Sequence, residues 1–223
     1  MAGPAEFPIP TLLPLGDAAI LVRFATSLTD DANRAAIACA ERLVCEPIVG
    51  VEEIVPNLVS VLVRYDPLRV SFAEVQGELR LRLGGLENAS FGQDFGRKIA
   101  VRFGGEDGPD LEEVAGLLGL TPDAFVAAHN GSVLRVLATG FAPGFVYCGF
   151  HSNDLVVPRR AVVRPLVPAG SVLFAAGQTA IAATDIPTGW HMIGRTDFRN
   201  FDPMLERPTL LSAGERLTFE AVP

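Results

Sequence analysis

Residues 140–195 read GFAPGFVYCGFHSNDLVVPRRAVVRPLVPAGSVLFAAGQTAIAATDIPTGWHMIGR. Apolar runs of four to six residues alternate here with Gly and Pro, and no stretch keeps a 3.6-residue period long enough for a helix. The same texture holds from Ser132 to the end, with runs at 132–139, 144–148, 155–157, 171–176, 179–183, 190–194 and 215–219. Short strands at this spacing predict a closed or nearly closed β-barrel.

Within the run, Gly140-Phe141-Ala142-Pro143-Gly144-Phe145-Val146-Tyr147 sets glycines around a proline, which lets the backbone turn tightly while aromatic rings diverge. Val157-Pro158-Arg159-Arg160 and Arg164-Pro165 place arginines beside residues that cannot donate to a central ladder. They are expected at an edge or on a loop, open to an anion. Gly177-Gln178-Thr179 offers an amide and a hydroxyl suited to orienting a small amide ligand. Gly189-Trp190-His191 holds the only tryptophan, as core anchor or binding platform. His129, before Asn130-Gly131, is the candidate base, and a helix-end contact with the last carbonyls would explain it equally well. The segment as a whole reads as a ligand- or partner-binding groove.

Upstream the pattern differs. Ala19 to Phe24 reads as a strand. Thr29 or Asp30 caps a helix to about Val44, and Val51–Val55 and Val59–Tyr65 are strands parted by Pro56-Asn57. Ser71 caps a second helix with Phe72, Val75, Leu79 and Leu83 inward. This order predicts a small α+β domain over residues 1–84, helices on one face of an antiparallel sheet. Residues 85–96, glycine-rich and aperiodic, read as a linker to a second domain over residues 97–223. That domain opens with a strand at Ile99–Phe103. Asp110 with Glu113 resembles a capping box for a helix ending near Gly119, and Thr121-Pro122 starts another to about Ala128.

With 49% hydrophobic and 20% charged residues the chain is expected to fold, and its formal charge of −8 argues against nucleic acid as a partner. No apolar run reaches the roughly 18 residues of a membrane span, and no signal-peptide pattern is present, so a cytoplasmic protein is expected. Cys39, Cys45 and Cys148 have no metal or disulfide spacing and read as buried free thiols. Phosphate-loop, dinucleotide, nucleophile-elbow and HExxH patterns are all missing, and no metal site is predicted.

Several of these pieces, in this order, resemble one family: the B subunits of bacterial 5-oxoprolinase, also described as allophanate hydrolase subunit 1 or the KipI family. They are Gly16-Asp17-Ala18-Ala19, Pro56-Asn57, Tyr65-Asp66-Pro67, Gly104 to Leu111, His129, Gly140 to Tyr147, Pro158-Arg159, Val167 to Val172, Gly177-Gln178-Thr179 and Gly189 to Thr196. The resemblance implies a small α+β domain followed by a cyclophilin-like β-barrel. It also implies two partners, the A and C subunits, the latter itself cyclophilin-like, in a complex that opens 5-oxoproline to L-glutamate at the expense of ATP. ATP belongs to the complex, and no cofactor is evident on this chain.

On that reading the chain is a non-autonomous hydrolase subunit whose substrate is a cyclic amide. His129 and Arg159 are the candidate catalytic residues. Phe141, Pro143, Gly144, Phe145, Arg160, Gln178, Thr179, Trp190 and Arg195 are the candidate substrate or partner contacts. The sequence departs from the family pattern at Ala182-Ala183, where Tyr-Pro is usual, and at Thr188, where Gly is usual. The alternative is a KipI-like regulator whose groove binds and inhibits a sensor histidine kinase.

Overall fold

The computed structural model describes residues 7–86 and 96–223. Contacts cluster into two compact units, Met1–Gly92 and Gln93–Pro223. The predicted linker lies largely outside the described residues.

The first unit is built from β1 (Thr11–Pro14), β2 (Ala19–Arg23), α1 (Asp30–Cys45), β3 (Val51–Pro56), β4 (Ser60–Tyr65) and α2 (Phe72–Arg82). Its antiparallel sheet has the order β1-β2-β4-β3. Alternate residues Ile20 and Val22 of β2 and Val61, Val63 and Tyr65 of β4 turn to one face. There they meet Ala32, Ala36, Cys39 and Leu43 of α1 and Val75 and Leu79 of α2. Alanines on the buried stripe of α1 let the helix sit close on the sheet, and each fully buried Leu contributes about 2 kcal/mol. Thr29 Oγ1 accepts from Ala32 N, and Ser71 caps α2 as predicted, forming with Glu74 a full capping box. Strand β1, which ends at Pro14, was not among the expected elements. As an edge strand it tolerates that proline.

The second unit contains β5 (Arg97–Phe103), α3 (Leu111–Leu117), α4 (Pro122–Asn130), β6 (Leu134–Thr139), β7 (Val146–Gly149), β8 (Arg164–Val167), β9 (Ser171–Ala175), β10 (Gln178–Ile181), β11 (Ile186–Thr188), β12 (His191–Arg195) and β13 (Arg216–Ala221). Seven of these strands close a barrel in the order β10-β7-β6-β13-β5-β12-β9. All its pairings are antiparallel except β5 with β13. The interior is filled by Val101, Leu134, Val136, Val146, Cys148, Phe174, Ile181, Ile193 and Phe219, and Val114 of α3 and Phe125 of α4 join the same core. A second apolar cluster lies on the outer face of β7, β9, β10 and β12, where Phe145, Leu173, Ala175, Ala180, Trp190 and Met192 meet Val167 of β8 and Ile186 of β11.

The predicted fold class is therefore observed, with local corrections. Residues 155–157 form no strand, although Leu155 and Val157 are buried in the barrel core; Pro158 follows at once and lacks an N–H. β8 and β11 form a two-stranded sheet of their own that proline at 165 and 187 had concealed. Asp110 occupies the N-cap of α3 but makes no capping bond with its side chain, which is engaged elsewhere. Cys45 is exposed, whereas Cys39 and Cys148 are buried, and burial pushes the Cys39 thiol up to about 12.

Candidate functional site

The period-two alternation of the barrel strands divides the predicted groove residues between two faces. Thr179 points into the barrel. There its hydroxyl lies 2.8 Å from His129 Nε2 and 2.8 Å from His151 Nε2. His129 comes from the last turn of α4 and has no exposed surface; Phe103, Phe125, Phe174 and Phe219 surround its ring. Burial drives its pKa down to about 4, against a smaller upward pull from Asn130, and drives that of His151 down to about 3 with help from His129. Both rings are thus neutral at pH 7.

A hydroxyl has one proton to donate, so it donates to one ring and accepts from the other. Asn130 Oδ1 stands 2.8 Å from His129 Nδ1, which puts the proton of His129 on Nδ1 and leaves Nε2 to accept from Thr179. His151 then donates from Nε2, and its buried Nδ1, without a partner among the described residues, is a bare acceptor. His151 escaped the sequence reading because only strand pairing brings it to Thr179.

The outer face carries the other candidates. Four aromatic residues form a chain of edge contacts with centroids 5.5 Å apart for Phe141–Phe145, 4.7 Å for Phe145–Tyr147 and 5.9 Å for Tyr147–Trp190. The exposed Arg159 guanidinium caps the row 5.8 Å from the Trp190 ring. Burial raises the pKa of the Tyr147 phenol, and the nearby Arg159 charge opposes that rise. Gln178 shares a face of β10 with Ala180, which pairs with Tyr147, and its buried Oε1 has no partner among the described residues. Phe141 is 73% exposed and holds a left-handed backbone at φ 77°. Pro143, also exposed, sits in the turn before Gly144, whose φ is 68°. A Cβ on Gly144 would lie 2.4 Å from Phe201 Cβ and 2.9 Å from Ala183 Cβ.

Both departures from the family pattern adjoin this face. Thr188 Oγ1 accepts the Trp190 N–H at 3.0 Å, Ala182 is buried in the outer cluster, and Ala183 backs the Gly144 turn. Two arginines expected nearby are committed inward or elsewhere. Arg160 binds Asp110, and Arg195, at the opposite end of β12 from Trp190, lies 3.9 Å from Asp107. Arg159 has no carboxylate partner among the described residues. A guanidinium held over an aromatic floor, with a phenol nearby, has the chemistry to hold a small carboxylate. Among the described residues no group of metal-ligating side chains converges, and no helix is long and apolar enough to cross a membrane.

Residues 10–211 match the carboxyltransferase domain, subdomain C and D. The B subunit of Bacillus subtilis 5-oxoprolinase is 35% identical over 220 residues, covering 92% of this chain and 90% of that protein. The crystal structure of TTHA0988 superposes with a TM-score of 0.80 at 37% identity, over 92% of this chain. The chain spans only 40% of TTHA0988. Kluyveromyces lactis urea carboxylase shares the fold, with a TM-score of 0.77 at 15% identity over 98% of this chain and 22% of its own. The chain belongs to the carboxyltransferase subdomain C and D family and is a relative of the 5-oxoprolinase B subunits.

Proposed function

We propose that this chain is the B subunit of a cytoplasmic, ATP-dependent 5-oxoprolinase, opening 5-oxoproline to L-glutamate together with the A and C subunits. The observation that carries the reading is Arg159, exposed, free of carboxylates among the described residues and stacked over Trp190 beside Tyr147. 5-Oxoproline presents one carboxylate and one lactam amide. Arg159 takes the carboxylate, and Gln178 and the Tyr147 phenol orient the amide. The lactam carbonyl is a poor electrophile, so ring opening needs activation, which ATP supplies in the complex. This chain has no phosphate loop, and ATP binding is assigned to another member of the complex.

The exposed Phe141 and Pro143 at the rim suit an apolar partner surface, here that of the C subunit. His129, sealed in the barrel, does not touch the substrate; it holds Thr179 and so the strand that carries Gln178.

The test is coexpression with a C-subunit homologue, addition of an A-subunit homologue, and measurement of glutamate formed from 5-oxoproline and ATP. Arg159→Ala should raise KM for 5-oxoproline by about 10-fold or more, the worth of one charge-assisted hydrogen bond. Failure to form a complex, or a KM untouched by Arg159→Ala, overturns the reading. Capture of a histidine kinase by the chain, without ring opening, would establish the regulatory alternative.

A further inference from the structure

The backbone on both sides of Arg159 is anchored, while its side chain has no carboxylate partner among the described residues. The carbonyl of Pro158 accepts from His191 Nε2 at 3.0 Å, and the N–H of Arg160 donates to the carbonyl of Gly189 at 2.8 Å. Both anchors flank Trp190. The side chain of Arg160 then runs to Asp110, Nη1 to Oδ1 at 2.7 Å, and Arg164 of β8 reaches the same oxygen at 2.6 Å. The other oxygen of Asp110 accepts the N–H of Met192 at 2.8 Å, and the Asp110 N–H donates to the carbonyl of Met192 at 3.1 Å. One carboxylate, its side chain 6% exposed, thereby ties the 158–164 segment to the start of β12.

We propose that Asp110 is the positioning residue of this site: through Arg160 and Met192 it fixes the Arg159 guanidinium over Trp190, ready for a carboxylate. The role explains why the side chain of a residue at a helix N-cap gives no bond to its own helix. It also explains two arginines on a single buried acceptor, an arrangement that helix capping does not require. Glu113, which is exposed and 3.5 Å from Arg160, is an accessory contact. Asp110 touches no substrate; it sets the place of a side chain that does. The carboxylate as ligand rests on the function proposed above, whereas the coupling of Asp110 to Arg159 does not.

The protein has a single tryptophan, so its fluorescence reports the Arg159–Trp190 contact directly. Trp190 is 6% exposed, and removing the guanidinium above it opens it to acrylamide. Arg159→Ala and Asp110→Asn should each raise the quenching constant about two-fold, and the double variant should exceed neither, since both remove one arrangement. In the active complex, Asp110→Asn should raise KM for 5-oxoproline about 10-fold with kcat changed less than about two-fold.

A folded Asp110→Asn protein with wild-type quenching overturns the inference and leaves Asp110 as a brace of the barrel. Should Asp110→Asn not fold, Arg160→Met cuts the same link from the other end and must give the same quenching. If quenching rises in both variants but neither changes KM, the positioning stands and the carboxylate reading falls.

Discussion

His129 and His151 lie ring to ring inside the barrel, centroids 4.7 Å apart and planes 32° from parallel. Two imidazoles so close cannot both carry charge, and neither is charged at neutral pH. Unfolding frees each to its ordinary pKa near 6.5, while the folded values are about 4 and 3. Between pH 6.5 and about 4 the unfolded chain binds more protons, so stability falls as pH falls. The slope should approach about 1.4 kcal/mol per pH unit for each ring. Urea unfolding of the barrel, followed through Trp190, should show a lower midpoint at pH 5 than at pH 7, and His151→Gln should flatten that dependence.

Thr179 serves both rings, so Thr179→Val strands two buried imidazole nitrogens at once. The expected loss is about 2 kcal/mol or more, read from urea unfolding, while Thr179→Ser should cost less than about 1 kcal/mol. Equal losses for the two variants would mean that methyl packing, and not the hydroxyl, is what the barrel needs.

Gly144 is the tightest point of the turn that presents Phe141. Its φ of 68° and the 2.4 Å approach to Phe201 leave no room for a Cβ. Its carbonyl also accepts from Asn200 Nδ2 at 2.9 Å, so a shift there carries the 200–211 segment with it. Gly144→Ala should destabilise the barrel by about 2 kcal/mol or more, measured as a lower Tm by Trp190 emission.

Phe141 keeps a left-handed backbone without being glycine, a strain of about 1–2 kcal/mol that its edge contact with Phe145 offsets only in part. Phe141→Gly should therefore leave Tm unchanged or raise it. Binding to the C-subunit homologue, followed by calorimetry, should weaken about 10-fold or more if the exposed ring is a partner contact.

How much of this was legible depended on the range of each interaction. Helix α1, the Ser71 cap of α2 and most barrel strands follow from local period and local hydrogen bonding. The strands that were missed, β1, β8 and β11, each contain a proline, tolerated at an edge or in a two-stranded sheet but indistinguishable in sequence from a breaker. Asp110 with Glu113 matched a capping motif, yet two arginines some fifty residues downstream outcompete the local bond. The groove residues were identified as one set, whereas neighbours on a strand point apart: Gln178 outward and Thr179 inward. His151 had no local mark at all, because its partner is chosen by the pairing of β7 with β10.

The seam of the barrel bears on how the protein is made. β5, the first barrel strand to be synthesised, pairs only with β12 and β13, the last two. During translation both its hydrogen-bonding edges stay open while β6, β7, β9 and β10 can already assemble into an incomplete sheet. Lys98 and Arg102 on this waiting strand give it charge that discourages pairing with another nascent chain.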